Sequence, residues 1–138
     1  MVAVSGCLAG LKCRYDGRSK ARIVVKEAAI VALCPEQLGG LPTPRLRAHF
    51  VGGTGEEVIA GTARVVNALG EDVTAAYLRG ARETVAICKR LHIRKAYLKE
   101  KSPSCGVRFV TVDGKLTRGM GVAAAMLRKA RVRLVSVR

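Results

Sequence analysis

The sequence predicts an α/β fold: one domain spanning residues 1–138, with a mostly parallel, open, Rossmann-like sheet flanked by helices. Three observations lead to this prediction. Short apolar runs alternate with helical stretches along the chain. No linker, low-complexity segment or internal repeat divides the 138 residues, a length that suits one hydrophobic core. One central segment is dense in turn-forming residues, which predicts a glycine- and proline-rich loop layer over the carboxyl edge of the sheet.

Four short apolar runs have the length and composition of buried strands. They are Val2–Ser5, Ile30–Leu33, Ala96–Lys99 and Val132–Val137. Neighbouring parallel strands need crossover connections, and the helical stretches between these runs supply them. The four runs are therefore predicted to form the sheet.

Three stretches between the strands are predicted helices. The first is Ala21–Ala29, and the clearest runs from Asp72 to Leu91, where apolar residues recur at three- and four-residue steps. The third, Gly121–Ala130, is rich in alanine and methionine. The segment from Pro35 to Gly70 differs, because it holds three of the four prolines and many glycines. It is the predicted loop layer.

The composition excludes several classes of protein. Hydrophobic residues make up 49% of the chain, too many for a disordered protein. No apolar run approaches the roughly 20 residues that a membrane span needs, and the first residues lack the charged start of a signal peptide. We therefore expect a soluble cytoplasmic protein with no membrane partner.

The chain is strongly basic, with 25 Lys and Arg against 10 Asp and Glu and a formal net charge of +15. Such a surface attracts polyanions, so some weak RNA affinity is expected. The basic residues are dispersed, however, and aromatic residues, on which nucleic-acid bases stack, are only 4% of the chain. A basic face that helps to hold a phosphorylated small molecule is the favoured interpretation.

Five cysteines, at positions 7, 13, 34, 88 and 105, need a reason, because disulfides rarely persist in a reducing cytosol. Cys7 follows the first predicted strand, Cys34 follows the second, and Cys105 comes six residues after the third. Ligands of open α/β sheets bind beyond the carboxyl ends of the strands. The three cysteines are therefore predicted to converge there as a three-thiolate metal site.

The spacing alone leaves the nature of this site open. Soft thiolate ligands favour zinc, copper(I) or an iron–sulfur cluster, and no C-x-x-C pair of the kind common at zinc sites is present. The remaining possibility is three buried thiols that bind no metal and pack as small hydrophobic groups. Cys88 lies on the apolar stripe of the long helix and is predicted to pack in the core, and Cys13 is predicted to be structural.

Several longer motifs resemble a known family. They are Ser5–Gly10, Cys13–Gly17, Cys34–Glu36, Gly39–Arg45, Gly52–Val58, Gly70–Thr74, Leu98–Gly106 and Gly119–Val122. Together they resemble the thiouracil desulfurase (desulfidase) family over nearly the whole chain. The resemblance implies a 4Fe-4S cluster held by Cys7, Cys34 and Cys105, with one iron left open. It also implies the desulfuration of a thiolated uracil or thiouridine nucleotide, with release of sulfide and no net redox change.

The same motifs contain the candidate catalytic and substrate-binding residues. An open iron would act as a Lewis acid towards the thiocarbonyl sulfur, and Glu36, two residues from Cys34, is the predicted base that activates water. Ser102 and Ser104 are predicted hydrogen-bond donors to substrate oxygen or cluster sulfur. Asp16 and Lys101 are predicted to contact the substrate. The alternatives are a basic RNA-binding module and a cluster-bearing sensor without turnover.

Overall fold

A computed structural model describes residues 1–20, 25–27 and 29–138. Its twelve elements form two four-stranded sheets with helices packed around them. In chain order they are β1 (Val2–Ser5), β2 (Ile30–Leu33), α1 (Pro35–Leu38), β3 (Ala48–Val51), α2 (Gly55–Ala60), β4 (Arg64–Asn67), α3 (Thr74–Arg90), β5 (Lys95–Lys99), β6 (Phe109–Val112), β7 (Lys115–Arg118), α4 (Val122–Lys129) and β8 (Arg133–Val137).

The first sheet, sheet A, is parallel throughout and has the strand order β2-β1-β5-β8. In its register Val2 lies opposite Ile30, and Lys95 lies opposite Arg133. The α/β prediction and its four strands are confirmed, with β5 beginning one residue earlier and β8 one residue later than predicted. All four residues of β1 are buried, as expected of a central parallel strand that is covered on both faces.

The two long predicted helices are confirmed as α3 and α4, which pack against each other. Buried residues recur along α3 at helical spacing, and Cys88 lies among them in the core with 1% of its surface exposed. The predicted helix Ala21–Ala29 falls largely outside the described residues, since 21–24 and 28 are not described. Its described residues, 25–27 and 29, are not helical.

The prediction of a loop layer between Pro35 and Gly70 was wrong in its secondary structure. The segment contains α1, β3, α2 and β4, and its strands belong to a second, mixed sheet, sheet B, with the order β4-β3-β6-β7. Its glycines mostly lie between or at the ends of these short elements. Gly61, for example, ends α2 in the left-handed conformation, with φ of 85°. Phe50 of β3 and Val65 of β4 are fully buried, so the segment forms part of the core.

Two features of this architecture position the functional site. The chain leaves β1 for β2 on one side and reaches β5 on the other, so the strand order reverses between β1 and β5. Crevices at such a reversal are the usual ligand sites of open α/β sheets. Residues of β3, β6 and β7 in sheet B line the cavity that lies beyond this carboxyl edge. Within the described part of the chain, no helix has the length and apolar character to cross a membrane.

Candidate metal centre and active site

Three cysteines follow three neighbouring strands of sheet A. Cys7 lies two residues after β1, Cys34 directly follows β2, and Cys105 lies in the loop after β5. All three are buried free thiols, and all three line one cavity of about 940 Å³. The parallel topology accounts for their meeting, because the carboxyl ends of β2, β1 and β5 share one edge of the sheet.

The position of Cys34 is fixed by the packing of α1 against α3. A Cβ atom on Gly39 would lie 2.0 Å from the carbonyl oxygen of Ala76, and one on Gly80 would lie 1.9 Å from the carbonyl oxygen of Pro35. Only glycine at these two positions allows the helices to approach so closely. Because Cys34 directly precedes α1, this contact also sets the place of its thiol.

A fourth cysteine, Cys13, also lines the cavity and contacts Cys34. The Cys34 sulfur lies 3.7 Å from the carbonyl oxygen of Cys13. A hydrogen bond between the two thiols raises the pKa of Cys13 and lowers the pKa of Cys34, although burial opposes the fall at Cys34. Of the two thiols, Cys34 therefore loses its proton more readily. A thiol must lose its proton to bind a metal, so this contact favours Cys34 as a ligand.

The other two cavity thiols are held in their neutral form by their surroundings. Burial raises the pKa of Cys7 and raises that of Cys105 well above its ordinary value, and the charge of Glu36 raises both further. A hydrogen bond from the Ser5 hydroxyl offsets part of the effect at Cys105. The same hydroxyl accepts the backbone N–H of Lys99 at 2.9 Å. The Ser5 side chain thus joins the ends of β1 and β5 to Cys105.

The loop that carries Cys105 is ordered by its own hydrogen bonds and by α4. The Ser102 hydroxyl accepts the backbone N–H groups of Ser104 and Cys105, at 3.1 and 3.0 Å. The loop carbonyls of Pro103 and Ser104 accept two N–H groups at the start of α4, at 2.8 and 2.9 Å. Helix starts carry such unpaired donors, so the loop and the helix satisfy each other's backbone.

The predicted base, Glu36, is 8% exposed and lies between a cysteine and an arginine. One carboxylate oxygen is 3.8 Å from the Cys34 sulfur, and the other is 3.8 Å from an Arg45 guanidinium nitrogen. Arg45 is itself held by the Thr43 hydroxyl, which accepts from it at 3.1 Å. Beside this pair, burial raises the pKa of the Tyr77 phenol, and the Glu36 charge raises it further.

Basic side chains dominate the charged lining of the cavity. Within the described residues the basic ones are Arg14, Lys20, Arg45, Arg47, Lys99, Lys101, Arg108 and Arg138, against the two carboxylates of Glu36 and Glu100. Burial lowers the pKa of Lys99, and the neighbouring charge of Lys20 lowers it further. Cations crowded in this way favour an anionic ligand.

The structure brings some of the sequence-predicted site residues together and leaves others apart. Ser102 and Lys101 line the cavity beside Cys105. Ser104 is buried but is not among the lining residues, and its hydroxyl has no hydrogen-bond partner in the described structure. Asp16 is exposed and outside the cavity lining, where its carboxylate accepts the backbone N–H of Arg18 at 3.0 Å. The substrate contact predicted for Asp16 gains no support from this position.

Four residues at the site were not singled out from the sequence. Ser5 hydrogen-bonds to Cys105, and Arg45 contacts Glu36. Tyr77 lies beside Glu36, and Glu100 binds the loop that carries Cys105. Arg45 and Glu100 do stand inside the family-like motifs Gly39–Arg45 and Leu98–Gly106. The motifs were the available signal, but a motif does not reveal what a side chain touches.

The donor set suits one kind of metal group better than another. Zinc bound to thiolates at about 2.3 Å draws the sulfurs to within about 3.8 Å of one another. In the described residues, no three His, Cys, Asp or Glu side chains are arranged to hold a single ion in this way. Three soft thiols around one cavity, with surrounding cations and an unpartnered Ser104 hydroxyl nearby, fit an iron–sulfur cluster, because each thiolate would bind a different iron.

Comparison with known proteins agrees with this arrangement. A protein of Bacillus subtilis (strain 168), the uncharacterized protein YbbK, is 48% identical over 143 residues, covering 99% of this chain and 95% of that protein. Among solved structures, the [4Fe-4S]-dependent thiouracil desulfidase TudS superposes with a TM-score of 0.82 at 39% identity, covering 98% of this chain and 89% of that one. The family model for 2-thiouracil desulfurase matches residues 2–138. With its cysteines arranged as described and this match over essentially its full length, the chain belongs to the 2-thiouracil desulfurase family.

Proposed function

We propose that this protein replaces the sulfur of a thiolated pyrimidine with oxygen from water, using a 4Fe-4S cluster held by Cys7, Cys34 and Cys105. One observation carries the proposal: three buried thiols from three neighbouring strands line one cavity, with the Glu36 carboxylate beside them. The name of the similar structure, a [4Fe-4S]-dependent thiouracil desulfidase, supports both the cofactor and the substrate class.

The overall reaction is balanced without an oxidant or a reductant. Water adds its oxygen to the thiocarbonyl carbon, the C–S bond breaks, and the sulfur leaves with two hydrogens as hydrogen sulfide. A cluster with only three thiolate ligands supplies, when bound, one open iron that acts as a Lewis acid towards the thiocarbonyl sulfur. The remaining requirements are a base for the water and a site that orients the ring, and the chain's own residues supply these.

Glu36 is the proposed base. Its carboxylate is 3.8 Å from the Cys34 sulfur and lines the same cavity, so it is the carboxylate proposed to activate water beside the bound substrate. The Arg45 guanidinium, 3.8 Å from the second carboxylate oxygen, is the neighbouring charge that is proposed to orient Glu36. Ser102, three residues before Cys105 and in the cavity lining, is the proposed donor to a ring oxygen.

The cavity suggests that the preferred substrate is a nucleotide rather than a free base. A volume of about 940 Å³ exceeds the needs of a pyrimidine ring, and the lining is rich in cations. Lys99, Lys20 and Arg14 crowd one another, and a substrate phosphate would relieve that repulsion. Lys101 is the proposed partner for negative charge that develops during the reaction. On this basis a thiouridine monophosphate should have a lower KM than thiouracil.

The proposal is tested first by metal content and then by turnover. After anaerobic reconstitution we expect about four irons and four acid-labile sulfides per chain. The Cys7→Ala, Cys34→Ala and Cys105→Ala variants should each lose most of this iron, while Cys88→Ala, a core cysteine outside the cavity, should keep it. A wild-type protein that binds no iron under these conditions would contradict the proposal.

Turnover then separates an enzyme from a sensor. Sulfide release from thiouracil and from thiouridine monophosphate is measured on the loaded protein. Glu36→Gln should reduce the rate by at least about 100-fold, the usual contribution of a general base, with the iron content unchanged. Glu83→Gln, an exposed carboxylate on α3, is the matched control and should keep the full rate. Iron binding without sulfide release by the wild-type protein would instead identify a cluster-bearing sensor.

A further inference from the structure

Glu100 is a buried carboxylate that the proposed reaction does not use. It directly follows β5 and is 6% exposed. Burial would raise its pKa, but hydrogen bonds, the largest of them from the backbone N–H of Phe109 and from the Ser136 hydroxyl, hold that pKa below its ordinary value. The group is therefore a buried anion that is stabilised by donors rather than by a salt bridge among the described residues.

The donors come from both ends of the loop that carries Cys105. One oxygen of Glu100 accepts the backbone N–H groups of Val107, Arg108 and Phe109, at 2.9, 2.9 and 3.0 Å. It also accepts the N–H of Lys101, at 3.3 Å. Successive N–H groups that converge in this way form a concave anion-binding site. Here the anion is a side chain of the protein itself.

The second oxygen of Glu100 ties this loop to sheet A. It accepts the hydroxyl of Ser136 in β8, and the backbone N–H of Glu100 donates to the carbonyl oxygen of Val137, at 2.7 Å. Glu100 therefore connects both ends of the loop to β8 of sheet A. Hydrogen bonds to a charged acceptor are roughly twice as strong as those between neutral groups.

We infer that Glu100 is a positioning residue, whose carboxylate fixes the Cys105 loop in the conformation that presents this thiol to the cluster. The inference rests on the proposed function for the cluster, but the fixed loop is a property of the protein without metal. Without the carboxylate, four N–H groups would lose their acceptor, and the two ends of the loop would lose the group that joins them.

The first test is hydrogen exchange on the iron-free protein. In Glu100→Ala the amides of residues 107–109 should exchange at least about tenfold faster, the factor expected for the loss of one hydrogen bond of ordinary strength. Alkylation of Cys105 by iodoacetamide should accelerate in parallel, because this thiol is 4% exposed in the ordered loop. Glu100→Gln keeps one carbonyl oxygen for the N–H groups and should exchange within about threefold of the wild type.

The matched control is Glu57→Ala in α2. Glu57 is another partly buried carboxylate, which accepts the N–H and the hydroxyl of Thr54 at 2.8 and 3.0 Å, far from Cys105 in sequence. Its loss should lower stability without a selective effect on residues 107–109. Any general loosening of the fold would accelerate these amides in both variants, whereas a positioning role affects them only in Glu100→Ala.

The second test is the rate at which a chelator removes iron from the reconstituted proteins. We expect release at least about tenfold faster from Glu100→Ala than from the wild type or Glu57→Ala, with rescue by Glu100→Gln. Unchanged exchange at residues 107–109, or faster exchange with unchanged iron release, would overturn the inference. A wild-type protein that takes up no iron would contradict the proposed function, and exchange and alkylation would still decide whether Glu100 fixes Cys105.

Discussion

Two opposite charges, the Glu36 carboxylate and the Arg45 guanidinium, lie 3.8 Å apart in the wall of the cysteine cavity, with side chains that are only 10% and 8% exposed. A buried charge is costly without a partner, so removing either side chain leaves the other charge buried without its counter-ion. The pair also bears on the proposed mechanism, because Glu36 is the proposed base. Stability and chemistry are thus coupled at this contact.

A double-mutant cycle measures that coupling. Arg45→Met leaves the Glu36 carboxylate buried without its cation and should lower the free energy of unfolding by about 3 kcal/mol. Adding Glu36→Gln removes the stranded charge, so the double variant should recover at least about 1 kcal/mol of that loss. The measurement is urea unfolding of the iron-free protein. Strictly additive losses would mean that the two charges do not support each other.

The control for this cycle is the ion pair between Lys95 and Glu27. Its atoms are 3.4 Å apart, but its side chains are 30% and 24% exposed. Solvent screens such a pair, so Lys95→Met should cost clearly less stability than Arg45→Met. The difference in stability cost between Arg45→Met and Lys95→Met then measures the effect of burial rather than that of contact distance.

Helix α1 has only four residues, but it positions two residues of the candidate site. It directly follows Cys34, contains Glu36, and packs on α3 through the glycine contact. A four-residue helix has little stability of its own. Its position therefore depends on the close approach to Gly80.

Gly80→Ala tests this dependence. In a helix interior this change ordinarily stabilises by up to about 1 kcal/mol. Here the new methyl group would lie 1.9 Å from the carbonyl oxygen of Pro35, so we expect a loss of at least about 1 kcal/mol and weaker iron binding. Ala86→Gly, at an exposed position of the same helix, measures the propensity effect alone. Gly80→Ala with raised stability and normal iron content would contradict the close contact.

The elements that could be predicted from the sequence are those whose signal is local. Strands of sheet A such as Val2–Ser5 are continuous apolar runs, and α3 repeats buried residues at helical spacing. Sheet B was missed because its four-residue strands alternate with glycine-rich turns. One local signal was available there: Asp113-Gly114, with φ of 50° and 80°, is the favoured turn of a β-hairpin and joins β6 to β7.

One part of the candidate site could likewise be predicted from the sequence, and another part could not. The meeting of Cys7, Cys34 and Cys105 follows from where they stand after parallel strands, so it could be predicted. The roles of Arg45 and Glu100 could not, because they arise from contacts between elements. Arg45 reaches Glu36 from beyond the turn that follows α1, and Glu100 binds amides seven to nine residues further along the chain.

Two groups of cations lie at opposite ends of sheet A. One group of cations lines the cavity at the carboxyl edge. A second group lies at the amino edge, where α3 and α4 end and β5 and β8 begin: Lys89, Arg90, Arg94, Lys95, Arg128, Lys129, Arg131 and Arg133. In the described structure only Lys95 among these forms an ion pair with a carboxylate. Cations at helix ends favour the helix dipole, but a cluster of this size also attracts polyanions.

The amino edge is therefore the surface on which the expected weak RNA affinity is tested. Replacing Arg94, Arg131 and Arg133 by Gln lowers the net charge from +15 to +12. The slope of log affinity against log salt for single-stranded RNA should then become shallower by about 2, because each lost phosphate contact contributes about 0.7. The control replaces Arg64, Arg82 and Lys115, three exposed cations elsewhere, with the same loss of charge. Equal effects of the two triple variants would assign the affinity to net charge alone, and no binding by the wild type at low salt would exclude it.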